Sequence, residues 1–304
     1  MMLDIAVVIL TYNEERHIER CIQSIKKYSD NIYIIDSYST DNTIQICKSL
    51  NVNILQNKFI NQSKQFTWAL DNINFKTEWT LRLDADEYLE DNLIIEIKNK
   101  LPNINKDIVG INLKRKHIFM DKWIKFGGRY PLILLRLWRT GHGYIEDRWM
   151  DEHIMVEGGK TITLKNNFCD HNLNNLSFFI NKHDWYAGRE VVDILLDNLK
   201  IKNDKKKLST KNTSFNVSLK RFFKESFYNK LPIGLGPLLY FLYRYIFLLG
   251  FLDGRVGLIY HFLQGFWYRF LVESKLVEYK KAIKDLDNND EIIKKLSELP
   301  SLKS

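Results

Sequence analysis

Cysteine is scarce in this chain of 304 residues: Cys21, Cys47 and Cys169 stand far apart. An odd count with no Cys-x-x-Cys pair argues against a disulfide framework and a zinc knuckle, and predicts reduced thiols in a cytosolic setting. The segment Met1 to Leu10 has no basic start, and its apolar run is too short for a signal peptide, so the protein is expected to stay on the cytoplasmic side. No Gly-x-Gly-x-x-Gly follows that first run and no Walker sequence occurs, which speaks against a dinucleotide site and a P-loop. Nor does any stretch reach the roughly 18 uncharged residues that a simple membrane-spanning helix wants.

What is present is an ordinary globular balance, with 45% hydrophobic and 27% charged residues, which excludes wholesale disorder. The formal net charge is +8. That sign suits nucleic acid, an anionic membrane surface or a phosphate-bearing ligand. The basic residues do not alternate with aromatics along a recognisable nucleic-acid module, so no nucleic-acid partner is expected.

The first ninety residues alternate between two periods. Ile5 to Leu10, Ile32 to Ile35, Val52 to Leu55 and Trp79 to Leu83 read as buried strands. Between them, Glu14 to Tyr28 carries Ile18, Cys21, Ile22 and Ile25 on one helical face, and Thr40 to Leu50 and Gln62 to Ile73 continue the helical pattern. Strand and helix taking turns predicts a parallel α/β sheet with helices on both faces. Ile108–Leu113, Leu132–Trp138 and Thr161–Leu164 are further strand-like pieces, and Phe178 to Lys200 is helical.

Polar residues gather just past the C-terminal ends of the early strands, the edge where open α/β sheets bind ligands. Thr11-Tyr12-Asn13-Glu14 follows the first strand. It opens a helix whose free N–H groups favour anions or polar ligands, with Asn13 placed to cap it. Asp36 ends the second strand, in position to accept a hydrogen bond from a base or ribose. Asp84-Ala85-Asp86 ends the fourth. Two carboxylates at i and i+2 beyond a buried strand can turn toward one point, and magnesium or manganese takes one or two carboxylates together with substrate phosphates.

Three segments taken together resemble family 2 glycosyltransferases of the GT-A fold: Val7-Val8-Ile9-Leu10-Thr11-Tyr12-Asn13-Glu14, Ile35-Asp36-Ser37-Tyr38-Ser39-Thr40-Asp41-Asn42-Thr43, and Leu83-Asp84-Ala85-Asp86-Glu87. Trp149-Met150-Asp151-Glu152-His153, Cys169-Asp170-His171 and Leu249-Gly250-Phe251-Leu252-Asp253-Gly254-Arg255 are similar to bacterial lipopolysaccharide-core β-glucosyltransferases and related cell-envelope enzymes. The resemblance implies a Rossmann-like, mostly parallel sheet flanked by helices. It also implies inverting transfer of a sugar from a nucleotide diphosphate carrier, a UDP-sugar in the first place. Thr11, Glu14 and Asp36, with Tyr12 and Asn13 on the same loop, would hold the nucleoside. Asp84 would contact ribose or metal, Asp86 would be the main ligand of manganese or magnesium, and His171 could complete that metal site. Lys64 stands where relatives often carry a basic residue near the nucleotide. The general base would come from the acidic pair Asp151-Glu152, with Glu152 taken first.

The C-terminal texture differs. Pro232 to Tyr243, Tyr245 to Leu252 and Val256 to Tyr268 are apolar and aromatic, interrupted by Arg244, Asp253 and Arg255. Helices lying in or dipping into a membrane interface fit this pattern, and a dimer interface or buried helical subdomain is the alternative. A basic run including Lys205-Lys206-Lys207 precedes it and would be drawn to anionic lipid. The expected organisation is a glycosyltransferase domain over residues 1–225 and a membrane-associating helical tail over 226–304. Such a protein would sit at the cytoplasmic face of the inner or plasma membrane as a peripheral or monotopic protein, possessing a glycan or lipid-linked acceptor. A transferase with a soluble or protein acceptor, forming homo-oligomers through the tail, and a silent sugar-nucleotide or lipid-binding protein are the competing readings.

Overall fold

A computed structural model describes residues 2–146, 153–199, 232–286 and 288–298. The chain divides into two compact units, Met1–Asn174 and Asn175–Ser304. In the first, β1 (Ile5–Thr11), β2 (Ile32–Asp36), β3 (Asn53–Gln56) and β4 (Trp79–Asp84) run parallel in the order β3-β2-β1-β4. They alternate with α1 (Ile18–Lys26), α2 (Thr43–Ser49) and α3 (Gln62–Asn72). Successive side chains of a strand point to opposite faces. Ile5, Val7 and Ile9 therefore meet Ile18, Cys21, Ile22 and Ile25 of α1, whereas Val8 and Ile35 meet Phe66 and Ala69 of α3. Both faces are covered, which is why these strands read as unbroken apolar runs.

Beyond Asp84 the pattern changes. β5 (Glu87–Leu89) follows after a two-residue turn, and α4 (Asp91–Lys100) returns to the α1 face through Leu93, Ile94 and Ile97. β6 (Ile108–Phe119), β7 (Lys122–Trp123) and β8 (Leu132–Arg139) come next, then a separate hairpin of β9 (Gly143–Ile145) and β10 (Ile154–Val156), and finally β11 (Lys160–His171). The sheet continues from β4 through β8, β6 and β11 to β5, with β7 on β6. β8 is antiparallel to both β4 and β6, β11 is parallel to β6, and β5 is antiparallel to β11. The result is the mostly parallel sheet flanked by helices that the alternation predicts, with antiparallel strands added after the fourth. β4 and β5 are neighbours in sequence, yet three strands separate them in the sheet. The sheet must curl to bring both to the one turn that joins them.

β6 and β11 are longer than their apolar pieces suggest. The second half of β6 is Lys114-Arg115-Lys116-His117, paired to Asn167-Phe168-Cys169-Asp170 of β11. Charges on half-buried strand positions hide the pattern from a hydropathy reading. The register shifts between Thr163 and Asn167, and Glu96 of α4 fastens this bulge. Its carboxylate accepts from the backbone N–H of Lys165 (3.0 Å) and of Asn166 (2.9 Å), from the Asn166 amide and from Lys100 Nζ.

In the second unit α5 (Leu176–Asn198) packs Ala187, Val191 and Leu195 against Tyr268, Val272 and Tyr279 of a later helix, Tyr268–Ala282. α6 (Leu235–Leu242) and α7 (Gly254–His261) precede that helix, which becomes α8, and α9 (Asn289–Ser297) adds Ile292 and Leu296 to the same core. The expected boundary at 225 lies outside the described residues. The compact first unit closes at Asn174, because the helix that follows packs with the C-terminal helices. Among the described residues no single helix is long and apolar enough to cross a membrane.

Burial works to raise the Glu96 carboxyl, but its Lys100, Lys165 and Asn166 donors outweigh burial and hold it down, from 4.5 to about 2. A carboxyl lowered on folding stabilises the native state above its unfolded value, and the contribution is lost as pH falls through the folded one. Glu96→Gln should therefore lose on the order of 2–3 kcal/mol at pH 7. In urea unfolding, that difference from wild type should shrink between pH 4.5 and 2; an equal difference at both ends would contradict it.

Candidate active site

Register places the polar strand ends in one row. Thr11 pairs with Asp36, Asp36 with Gln56, and Leu10 with Asp84, so β1 to β4 finish together. Asp36 is fully buried. Its Oδ1 accepts from the hydroxyls of Thr11 (3.3 Å) and Ser39 (2.5 Å), and its Oδ2 from the Ser39 N–H and from Gln56 Nε2, both at 3.0 Å. The loop after β1 is laced to the loop after β2. Asn13 N–H donates to Ser39 Oγ (2.9 Å), Thr40 N–H to Asn13 Oδ1 (2.8 Å), and Glu14 N–H to Thr43 Oγ1 (2.8 Å). Asn13 and Tyr38 take left-handed backbone, φ +54° and +62°. Asn tolerates that region better than most residues. Tyr12 and Tyr38 are left exposed on the two joined loops.

The acidic turn between β4 and β5 rests on arginines. Asp84 Oδ1 accepts from Arg82 Nε and Nη2 (both 3.3 Å), and its Oδ2 from Arg136 Nη2 (3.2 Å). The same Arg136 nitrogen donates to Glu87 Oε1 at 2.6 Å, while the Asp84 N–H donates to Glu87 Oε2 at 2.9 Å. Arg136 comes from β8 and is buried, its guanidinium over the Phe168 ring. Arg82 lies over Phe66. Burial alone would raise the Asp84 carboxyl, but Arg82 and Arg136 overcome it and hold it well below the usual range. For Glu87, burial dominates and Asp84 beside it adds to the effect, so its carboxyl is pushed up to about 8 against the pull of Arg136. The pair thus divides its roles: Asp84 stays ionised, and Glu87 is the group that can hold a proton at neutral pH.

A second set of contacts ties the turn to the end of β11. Asn172 Nδ2 donates to Asp86 Oδ2 (3.1 Å), and the His171 N–H donates to the Asp86 carbonyl (3.1 Å). Arg20 of α1 donates to the Asp86 carbonyl (3.3 Å), to the His171 carbonyl and, through Nη1, to His171 Nδ1 (3.0 Å). An arginine only donates, so Nδ1 accepts and the ring proton sits on Nε2, facing Asp121 Oδ1 at 3.1 Å. Burial and Arg20 both lower the His171 imidazole, which keeps it neutral. His17 adds a third tie. Its Nε2 accepts from the Leu173 N–H (2.8 Å), so Nδ1 carries the proton toward Glu14 Oε2 at 2.5 Å.

The model of glycosyl transferase family 2 matches residues 6–168, more than half of the chain and nearly all of the unit that carries this edge. The chain belongs to glycosyl transferase family 2. Its fold is the Rossmann-like, mostly parallel sheet flanked by helices that the resemblance to the GT-A class implies. Uncharacterized glycosyltransferases of Rickettsia typhi and Rickettsia bellii are 33% and 35% identical over 106 and 103 residues, covering 35% and 34% of this chain. The match spans only about a third of those relatives' own length, 36% and 34%. The prophage-derived glycosyltransferase SunS of Bacillus subtilis is 38% identical over 82 residues, 26% of this chain and 19% of that one. Among solved structures, glucosyl-3-phosphoglycerate synthase of Mycobacterium tuberculosis, crystallised with manganese, UDP and glucosyl-3-phosphoglycerate, overlaps with a TM-score of 0.31 at 19% identity. That overlap covers 37% of this chain and 43% of that one.

Within this family 2 transferase the structure brings Thr11, Tyr12, Asn13, Glu14, Asp36, Asp84 and Asp86 to one edge. Asn13 does not cap α1: its side chain serves Thr40, and the helix begins at Ile18 after His17. Glu14 is turned onto His17. Lys64 is exposed in the first turn of α3, where its N–H is capped by Asn61 and its ammonium group makes no hydrogen bond among the described residues. Among the described residues no three His, Cys, Asp or Glu side chains converge as a cation cage. His171 flanks the acidic turn but is turned onto Arg20 and Asp121, so Asp84, Asp86 and His171 do not form a preassembled metal site. Asp151 and Glu152 lie outside the described residues. Sequence reasoning missed Gln56, Arg20, Arg136 and Asn172, and quoted Glu87 within the acidic motif without a role. Gln56 had a signal, the third strand end in register with Asp36. The others had none short of the fold.

Arg136→Met tests the electrostatic support. Removing the shared cation leaves the buried Glu87 and the half-buried Asp84 without it and should cost about 3 kcal/mol at pH 7, the exposed side of Asp84 softening the loss. Asp84 is lowered on folding, so its contribution is fully present above its unfolded value near 3.8 and is lost progressively as pH falls from there through the folded value. The penalty read by urea unfolding should therefore fall as pH drops below 4. A penalty that persists undiminished at pH 3 would mean that Arg136 acts by packing alone.

Proposed function

We propose that this transferase moves a sugar, with inversion, from a nucleoside diphosphate carrier, a UDP-sugar in the first place, to a lipid-linked or envelope-glycan acceptor at the cytoplasmic face of a membrane. The observation that carries the reading is the single edge on which Thr11, Asp36, Gln56 and Asp84 end in register, with Asp86 on the turn beyond. In this reading the base lies at Asp36, whose donors Thr11, Ser39 and Gln56 already fix the loop, and the exposed rings of Tyr12 and Tyr38 suit a flat base. Asp84 faces the ribose, held ionised by Arg82 and Arg136. Acceptors of the lipopolysaccharide, capsule or O-antigen type suit the apolar character of the C-terminal unit.

A divalent cation, manganese or magnesium, fits this turn through Asp86 rather than Asp84. Both Asp84 oxygens accept from guanidinium groups at the strand end, and Asp86 stands on the turn beyond it. One carboxylate plus phosphate oxygens and water is an ordinary set for such an ion. Bound there, it would neutralise charge building on the departing diphosphate. Arg20 and Asn172 act as positioning residues for Asp86. The acceptor oxygen bonds to the anomeric carbon as the carbon–oxygen bond to the diphosphate breaks, and the acceptor proton passes to a carboxylate, Glu152 taken before Asp151. His171, kept neutral, supports the turn.

Calorimetric titration of nucleoside diphosphates with and without manganese tests the donor side. Asp86→Asn should keep the wild-type thermal midpoint and weaken metal-dependent binding on the order of 100-fold; unchanged binding would remove Asp86 from the donor site. On the acceptor side, Glu152→Gln should retain donor binding and lose transfer on the order of 1,000-fold. Full transfer by both Glu152→Gln and Asp151→Asn would place the base elsewhere.

A further inference from the structure

Residues 233–270 reverse the usual distribution of polarity. Charged groups are inside: Arg244, Asp253 and His261 are all buried, with His261 Nε2 3.6 Å from Asp253 Oδ2 and the Arg244 guanidinium over the Tyr240 ring. Large apolar groups are outside, among them Leu239, Ile246, Phe247, Phe251, Leu252 and Phe262, with Phe247 74% exposed. Water rewards the opposite arrangement.

The backbone bends sharply at the same place. The helical stretch Leu235–Phe247 and the stretch Gly250–Ala282 meet at 73°, and only as a bent pair do they reach the length and apolarity of a span. Leu249 and Gly254 take left-handed backbone, φ +60° and +65°. A Cβ on Gly250 would lie 2.8 Å from the His261 ring and 2.9 Å from the Arg244 carbonyl, and one on Gly257 would lie 2.3 Å from Asp253 Cβ. The His261 ring, the Arg244 carbonyl and the Asp253 side chain thus close around two glycines at the turn. At the open end, Gly234 N–H donates to Glu273 of α8 at 2.8 Å, fastening the hairpin to its own unit.

We infer that residues 233–270 form a re-entrant hairpin that enters one leaflet of a phospholipid bilayer, with Phe247, Phe251 and Leu252 at its deep end and the buried Asp253–His261 pair as its internal polar lock. The inference rests on the membrane placement proposed above and specifies the mode of contact: insertion from one side rather than spanning. Three observations favour lipid over a second copy of the chain. Polarity is inverted around the turn rather than on one helix face. The bend returns both ends to the same side. The segment just before it, residues 200–224, carries nine lysines and arginines suited to anionic headgroups. Backbone at membrane depth is tolerated where its polar groups are satisfied inside protein, and the buried pair supplies that interior.

Site-directed spin labelling of the full chain tests this directly, because Cys21, Cys47 and Cys169 are all buried and a new surface cysteine takes the label. Phe247→Cys and, as a control, Lys281→Cys on the exposed face of α8 would be mixed with phosphatidylethanolamine–phosphatidylglycerol vesicles. The label at 247 should gain collisions with oxygen and lose collisions with a water-soluble nickel chelate about tenfold on vesicle addition, while that at 281 stays in water. A second variant, Phe247→Glu/Leu252→Glu, should lose vesicle co-sedimentation at least tenfold. A label at 247 that stays open to the chelate would overturn the inference. So would protection that grows with protein concentration in the absence of lipid, which would assign the surface to a second copy. Nucleoside diphosphate binding measured on the same samples separates failure here from failure of the donor site, since the substitutions leave the first unit untouched.

Discussion

One guanidinium, that of Arg136, lies between a buried carboxyl, Glu87, and a half-buried one, Asp84, and the acidic turn is built on that contact. Asp84 ends β4 and Glu87 begins β5, strands that occupy distant places in the sheet. Without a cation beneath it Asp84 would have to keep its charge beside a second carboxyl, in a medium that screens poorly. Arg136 reaches both from β8, an antiparallel strand inserted beside the parallel block. The antiparallel insertion therefore has a chemical consequence: it delivers the cation that lets the acidic turn stay folded with Asp84 ionised. Arg82, from β4 itself, shares the load on Asp84 and leans on Phe66.

From this support the geometry of Asp86 follows. Its turn is held from below by Arg136, from the side by Arg20 on α1, and across the gap by Asn172 after β11. Three elements distant in sequence therefore fix the turn that carries the Asp86 carboxylate, the condition for presenting it to a diphosphate without reorganisation. Glu96 contributes at longer range, because the bulge it fastens sets the register by which β11 delivers Asp170, His171 and Asn172.

The parallel block was legible in the sequence because burial on both faces leaves unbroken apolar runs, each ending in a polar residue. Thr11, Asp36, Asp84 and Asp86 could be read off for that reason. The supports could not. Arg136 is 49 residues from Glu87, Arg20 66 from Asp86 and Asn172 86 from Asp86, and no local pattern marks an arginine as the partner of a remote carboxylate. Charged residues at half-buried positions also concealed the far halves of β6 and β11. His171 illustrates the limit of motif reading: its place beside the acidic turn was legible, but its orientation toward Arg20 was not. In the second unit the interruptions at Arg244 and Asp253 looked like breaks in an apolar stretch, whereas they are buried at the turn.

The central claim is that Asp86 alone of the acidic pair takes the metal while Asp84 remains with its arginines. Anomalous scattering from manganese, in crystals of the full chain soaked with manganese and UDP, tests it most directly. The account predicts one manganese peak touching the Asp86 carboxylate and both phosphates, with Arg136 still bridging Asp84 and Glu87. A peak on Asp84 with Arg136 displaced, or a nucleotide bound away from the Thr11–Asp36 edge, would contradict it.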